Sequence, residues 1–145
     1  MQQSKKEIEI NHKAKDLYGI VLDIEKYPDY IPWCSKIEIL YKDKKKIEAN
    51  MFIDYKFFPL QKFTSNVIFD VNKLIIKTKY IKGPLKNLDT IWQFVELKKN
   101  RSKVLFKIQF EFKNFFHQKL AEFFLPLIET KMVNSFILRA DETLN

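Results

Sequence analysis

The chain has 145 residues, of which 46% are hydrophobic and 30% charged, and this balance is typical of one folded domain over residues 1–145 and excludes a disordered segment. One cysteine and two histidines exclude a disulfide scaffold and leave too few ligands for a structural zinc site. The net charge of +8 is carried by lysine, because Arg101 and Arg139 are the only arginines among 26 basic residues. Such lysine-rich surfaces are usually just solvated, and the composition also matches the codon usage of an AT-rich genome.

The first third of the chain predicts a strand, a helix and a helical corner. Alternation of polar and apolar residues predicts a short strand over 5–10. Apolar residues at helical spacing predict an amphipathic helix at about 13–25, with Asn11 as its N-cap. Two prolines then exclude the interior of a strand, so the next segment should form a helical corner. Three aromatic residues are expected to project from this corner: Tyr27, Tyr30 and Trp33.

After the corner the period of the apolar residues becomes two. The alternating segments predict about six antiparallel strands, each with one apolar face. Turns are expected at the charged run 42–46, near Asn72, at Gly83-Pro84 and near Asn100. The concave face of the sheet is expected to carry Ile37, Met51, Ile53, Trp92, Phe94 and Phe110.

From about residue 115 the helical period returns and predicts a long amphipathic helix that ends near Thr143. Pro126 should kink this helix or begin a new one. A curved antiparallel sheet wrapped around the helix would bury every apolar face, so the predicted fold class is α+β. This arrangement leaves a space between sheet and helix, which is where ligand pockets form. The helix stripe expected to face this space is Leu120, Phe124, Leu127 and Ile128, extended by Met132, Phe136 and Ala140.

The sequence contains no P-loop, no glycine-rich dinucleotide motif and no metal-binding motif. His12, His117 and Cys34 have no catalytic partner in the sequence, so neither catalytic residues nor a metal site is predicted and the chain is not expected to be an enzyme. The aromatic content of 15%, with 14 phenylalanines, is the most unusual feature. Composition leaves two interpretations open, a densely packed core and an apolar cavity for a flat or prenylated ligand.

The corner and several later segments resemble a known family. Tyr27-Pro28 together with Pro32-Trp33-Cys34 is similar to the same region of the coenzyme Q-binding START-domain proteins, which in bacteria are also described as ribosome-association toxins. The similarity continues in order along nearly the whole chain, in the segments 63–67, 83–88, 92–94, 104–112, 131–136 and 139–140.

This resemblance implies a helix-grip fold of the START and birch-pollen-allergen type. It implies binding of ubiquinone or a related polyprenyl quinone, with no other cofactor, in support of respiratory electron transfer. For bacterial members it also implies binding to the large ribosomal subunit, hindrance of subunit association and the role of toxin in a toxin–antitoxin pair. The wider superfamily includes polyketide cyclases, but no residues here support cyclase or dehydrase chemistry.

The candidate ligand site is the apolar space between sheet and helix. The residues expected to line it are Trp33, Ile37, Met51, Ile53, Trp92, Phe94, Phe110, Phe124, Leu127, Ile128, Met132 and Phe136. The mouth, where the polar head of a quinone is expected, is assigned to Tyr30, Gly83, Pro84 and Lys86.

The expected location is cytoplasmic, with peripheral contact to the inner membrane, and the two functional hypotheses differ in where the lysines should lie. Lysines around the mouth, such as Lys82, Lys86 and the run 42–46, would attract an anionic lipid surface. A stripe of lysines on one continuous face would favour ribosomal RNA instead. Sequence order leaves this question open.

Overall fold

The structure is a computed structural model that describes residues 2–55, 58–113 and 128–144. The described strands form one antiparallel sheet in the order β1-β7-β6-β5-β4-β3-β2. Their bounds are β1 Gln2–Ile10, β2 Cys34–Lys42, β3 Lys46–Tyr55, β4 Phe58–Asp70, β5 Ile75–Lys82, β6 Leu85–Lys98 and β7 Arg101–Phe112. The six strands predicted after the first helix are confirmed, and β1 completes the sheet at its far edge beside β7.

The described helical elements lie between β1 and β2 and at the end of the chain. They are α1 Ala14–Leu22, a 3-10 turn Ile24–Lys26, α2 Tyr27–Tyr30, a π-helical turn Ile128–Met132 and α3 Val133–Thr143. The prediction that the last helix ends near Thr143 is confirmed. Its predicted start, with Pro126, lies outside the described residues. Within the described part of the chain, no helix is both long and apolar enough to cross a membrane.

The predicted N-cap of α1 is wrong. Asn11 Oδ1 accepts a hydrogen bond from Arg101 Nη1 at 2.7 Å, and Lys13 occupies the cap position without a side-chain bond. The free Ala14 amide at the helix start donates instead to the Glu96 carboxylate at 2.7 Å. A distant strand end thus supplies the acceptor that a capping side chain normally provides.

The concave face of the sheet packs against α1 and α3, and Phe136 occupies the centre of this contact. Its side chain is 6% exposed, and its ring centroid lies 5.2 Å from that of Trp92 and 5.3 Å from that of Tyr27. Both are edge-to-face contacts, which are favourable beyond the area they bury. The last helix is therefore held to the sheet and to the corner by contacts between aromatic rings.

Candidate functional site

A cavity of about 250 Å³ lies between the concave face of the sheet and the C-terminal helical segment. Strands β2–β7, the segment around α1 and residues of the last helical segment contribute to its wall. None of the described lining residues carries a charge, and most are aliphatic or aromatic. Such a wall favours an uncharged, largely apolar ligand.

Most of the described residues predicted for the site face this cavity. The predicted wall residues found in the lining are Trp33, Ile37, Met51, Ile53, Trp92, Phe110, Met132 and Phe136. Trp33 comes from the turn before β2, and each of the others comes either from alternate positions of a strand or from one stripe of the last helical segment, as the periodicity predicts. Phe124 and Leu127 lie outside the described residues, and Ile128 begins the π-helical turn.

Phe94 is placed differently from the prediction. It lies on the concave face but is 3% exposed, and it lines a separate space of about 20 Å³ beneath α1. Its ring packs edge-on against Tyr18 of α1, with centroids 6.1 Å apart. The reason is that α1 covers this part of β6, and Val133 and Ile137 of α3 close the same small space. Phe94 is therefore a core residue outside the main cavity.

At the predicted mouth, Pro84 lines the cavity and Gly83 positions it. Gly83 has a φ of +152°, and a Cβ there would lie 2.7 Å from Tyr80 Oη and 2.9 Å from the Lys62 carbonyl oxygen. The Leu85 amide donates to the same tyrosine hydroxyl at 3.0 Å. Glycine is therefore required for the loop to close onto β4.

The other two predicted mouth residues do not line the cavity. Lys86 is exposed, and its ammonium lies 4.0 Å from the Glu111 carboxylate, which partly offsets its charge. Tyr30 packs its ring against Phe136, with centroids 5.7 Å apart, and lies 5.0 Å beneath the Arg139 guanidinium. Burial raises the pKa of Tyr30, so its hydroxyl stays protonated near neutral pH.

Four polar residues of the cavity wall were missed by the sequence analysis: Gln61, Ser65, Thr78 and Thr90. They were missed because the prediction assigned only apolar side chains to the cavity wall. A signal did exist, since each occupies a position where the strand period calls for an apolar residue. Polar residues on the buried face of a strand are therefore candidates for ligand contacts.

The groups with reactive side chains lie elsewhere. Cys34 is 3% exposed, and burial raises the pKa of its thiol to about 11, so the thiol is protonated near neutral pH. His12 Nε2 lies 2.8 Å from Asp141 Oδ1, which joins the loop before α1 to the end of α3. Among the described residues, no three histidine, cysteine or acidic side chains converge as a metal site would require.

The opposite, convex face of the sheet carries a row of lysines, here called the lysine row: Lys5, Lys107, Lys77 and Lys46. The strand register aligns them across six strands, with Ile91 between Lys107 and Lys77 and Ile68 between Lys77 and Lys46. At about 4.8 Å between strands, the row is roughly 24 Å long. At its β3 end it continues into the run 42–46.

The members of the lysine row lack the salt bridges that two other lysines of the convex face form. Within the described chain none of its four ammonium groups forms a salt bridge, whereas Lys79 pairs with Asp89 at 3.4 Å and Lys103 with Glu7 at 3.5 Å. Lys46 is the only half-buried member, and its ammonium lies 5.2 Å from the Tyr41 ring centroid. The row is thus a strip of positive charge that is offset at its β3 end, where Asp43 lies close to Lys46.

The run 42–46 lies at the end of the sheet away from the mouth. On β4, Lys46 is paired with Ile68, whereas Lys82, next to the mouth loop, is paired with Thr64. Ile68 and Thr64 are four residues apart, which corresponds to about 13 Å along a strand. The turn after Lys42 extends still further from the mouth. The run therefore does not surround the mouth with Lys82 and Lys86.

The sequence matches the family described as "Polyketide cyclase / dehydrase and lipid transport" over residues 10–137. It is 29% identical over 136 residues to the ribosome association toxin RatA of Rickettsia prowazekii, covering 92% of each chain. It is 28% identical over 138 residues to the mitochondrial coenzyme Q-binding protein COQ10 of Drosophila melanogaster, covering 92% of this chain and 56% of that protein.

The fold is also that of a solved enzyme. The Zhui aromatase/cyclase from Streptomyces sp. R1128 matches with a TM-score of 0.85 at 15% identity, covering 99% of this chain and 96% of that one. At this identity the likeness establishes the helix-grip fold and nothing about chemistry. The predicted α+β class, with a curved antiparallel sheet and a C-terminal helix, is confirmed.

Proposed function

Because the chain belongs to the polyketide cyclase / dehydrase and lipid transport family, we propose that it binds ubiquinone or a related polyprenyl lipid and carries it in support of respiratory electron transfer. The observation that supports this proposal is the cavity of about 250 Å³ with an uncharged, mainly apolar described lining. A relative named as a coenzyme Q-binding protein supports the choice of ligand class. Removal of apolar surface from water, at about 25 cal/mol per Å², supplies the affinity.

The size of the cavity limits which part of such a ligand it holds. An apolar cavity of about 150 Å³ in another protein accommodates benzene. A cavity of about 250 Å³ is therefore suited to one substituted ring or a short prenyl segment, and not to a long polyprenyl chain. The remainder of the ligand is expected to extend past Pro84 and Met132.

The described lining favours binding without a covalent step. General acid–base catalysis needs a group that titrates near the working pH, and the described lining contains no histidine, acid, lysine or cysteine. The Tyr27 hydroxyl donates to the Val21 carbonyl oxygen, and burial raises the pKa of Tyr27 well above its ordinary value. This hydroxyl is therefore neither free nor ionised near neutral pH.

The test is quinone binding in detergent, followed by tryptophan fluorescence. Both tryptophans of the chain, Trp33 and Trp92, line the cavity, so a quinone bound there should quench them. Met132→Glu places a carboxylate in the apolar cavity and should abolish quenching. Leu138→Glu is the matched control, because Leu138 is on the same helical segment and is 61% exposed. If folded Met132→Glu binds quinone as well as the parent, the cavity is not the binding site.

The lysine row favours a second function, association with the large ribosomal subunit. Lysines that contact phosphates release counterions, and this term dominates sequence-independent binding to nucleic acid. The row is continuous on one face and lies away from the mouth, which is the arrangement expected for RNA. A relative named as a ribosome association toxin supports the same choice.

Sedimentation with purified large subunits at increasing salt tests the second function. The double variant Lys77→Gln, Lys107→Gln should bind more weakly, and the slope of log K against log salt should fall by about two. The double variant Lys79→Gln, Lys103→Gln removes the same charge from the same two strands but at ion-paired positions, so it should retain most of the slope. Equal losses in the two variants would show that net charge, and not the row, determines binding. Binding to anionic vesicles but not to subunits would point to a membrane partner instead.

A further inference from the structure

Three hydroxyl groups interrupt the apolar wall of the cavity on adjacent strands. Thr78 on β5 and Thr90 on β6 are directly opposite each other in the register, so their Cβ atoms are about 4.5–5.5 Å apart. Ser65 on β4 is two residues from Val67, which is the register partner of Thr78. These three residues are called the hydroxyl cluster below.

None of the three hydroxyls of the hydroxyl cluster has a hydrogen-bond partner among the described residues, whereas two other buried hydroxyls of the sheet do. Thr64 Oγ1 donates to Asn50 Oδ1 at 2.6 Å, and Ser102 Oγ donates to the His12 carbonyl oxygen at 2.6 Å. A hydroxyl group that faces an apolar space without a partner is unfavourable. Three such groups side by side in one cavity are accounted for by a ligand that bonds to them.

Thr78 and Thr90 of the hydroxyl cluster lie in the inner half of the cavity, and Ser65, which is paired with Tyr80, lies nearer the mouth. Thr90 is five residues along β6 from Leu85 at the mouth, which corresponds to roughly 16 Å of strand. Beyond it lie aromatic rings, with the centroid of Trp92 4.4 Å from that of Phe106 and 5.2 Å from that of Phe136. A flat ring in this position would contact aromatic faces and hydroxyl groups together.

We propose that the hydroxyl cluster recognises the oxygen substituents of an uncharged ring, which enters the cavity first while its apolar tail extends toward Pro84. This inference rests on the proposed lipid-binding function and specifies its orientation. It reverses the arrangement expected from the sequence, in which the polar head meets the mouth. Hydroxyl groups both donate and accept, so carbonyl, ether and hydroxyl oxygens on the ring are all suitable partners.

The first experiment compares two probes in the double variant Thr78→Val, Thr90→Val, which removes two hydroxyls while nearly keeping side-chain shape. The probes are a short-chain ubiquinone and an aromatic hydrocarbon with the same prenyl chain but no oxygens. The variant should bind the quinone about tenfold more weakly and the hydrocarbon as well as the parent or better. Equal loss of both probes, or no loss of the quinone, would overturn the proposal.

The two proposals fail in distinguishable ways. If the parent binds both probes and the variant is unchanged, lipid binding stands and the role of the hydroxyl cluster is wrong. If the parent binds neither probe, both proposals are wrong.

Orientation is tested separately with single-tryptophan variants. Trp33 lies next to Cys34, which is paired with Ile53 near the mouth, whereas Trp92 lies at the inner end. Bound quinone should quench Trp92 strongly in Trp33→Phe and quench Trp33 only weakly in a folded Trp92→Phe variant. Should Trp92→Phe fail to fold, the Trp33→Phe arm alone decides, because tail-first binding predicts little loss of Trp92 fluorescence.

Discussion

The two faces of the same sheet present opposite chemistry from neighbouring residues. On β5, Ile76 and Thr78 face the cavity while Lys77, between them, belongs to the lysine row. On β7, Phe106 and Ile108 face the cavity while Lys107 faces outward. Because side chains alternate strictly along a strand, a single segment carries both an apolar wall and a basic strip.

The two faces can serve two functions independently. A ligand in the cavity and a polyanion on the convex face contact different side chains of the same strands, so neither function needs residues of the other. The relatives named for coenzyme Q binding and for ribosome association are similar to this chain over nearly the same length. Separate faces are a physical way for one fold to support either function or both.

The largest loss of stability is expected on the concave side of the sheet, from Phe136→Ala. Phe136 is 6% exposed and packs against several rings, so its truncation should cost about 3 to 5 kcal/mol through lost burial and a new cavity. Leu138→Ala, two residues away and 61% exposed, should change stability by less than about 0.5 kcal/mol. Urea unfolding followed by circular dichroism measures both. An unchanged midpoint for Phe136→Ala would show that the helix is not held to the sheet by this residue.

A smaller loss of stability is expected at the mouth of the cavity, from Gly83→Ala. The positive φ and the close approach of the Lys62 carbonyl oxygen both oppose a Cβ, and the expected cost is about 1 to 3 kcal/mol. Pro84→Ala in the same loop serves as the control, since it retains the glycine and should cost less. Equal urea midpoints for the two variants would contradict the close packing of the loop on β4.

The fold was predictable because burial imposes periods of 2 and 3.6 on the sequence, and these periods are local. The hydrogen bond at the start of α1 was not predictable, because Glu96, which accepts from the Ala14 amide, lies 82 residues away in the chain. Phe94 was assigned to the wrong space because the period shows which face a residue occupies but not which helix covers it. The hydroxyl cluster left a local signal, polar residues at apolar positions.

The lysine row left no local signal at all. Its members lie on four strands spread from Lys5 to Lys107 and meet only through the strand register. The charge count of +8 was visible from composition, but its concentration in one row required the order β1-β7-β6-β5-β4-β3-β2. Registers of distant strands depend on the whole fold, which is why sequence order could not separate the two hypotheses.

Two threonines, one on each face of the sheet, should differ in how much stability is lost when the hydroxyl is removed. Thr64 on the convex side is 3% exposed and donates to Asn50, so Thr64→Val should cost about 1 to 2 kcal/mol by leaving the amide oxygen without this donor. Thr78→Val on the concave side removes a hydroxyl without a partner among the described residues and should be neutral or slightly stabilising. Urea midpoints of the two variants should therefore differ in the stated direction. A larger loss in Thr78→Val would show that its hydroxyl has a structural role.

The smallest effect on stability and on quinone affinity is expected from substitutions in the lysine row, because the two faces act independently. The variant Lys77→Gln, Lys107→Gln removes two exposed ammonium groups that have no acidic partner in the described chain, so the free energy of unfolding should change by less than about 0.5 kcal/mol. The affinity for quinone, measured by tryptophan quenching, should also be unchanged. Both side chains point away from the cavity wall, and the substitutions leave the strand register, and therefore the wall, intact. The measurement is a quinone titration of this variant in detergent, beside Lys36→Gln as a convex-face control outside the row. A threefold or greater loss of quinone affinity in the double variant alone would show that the two faces are coupled through the sheet and do not act independently.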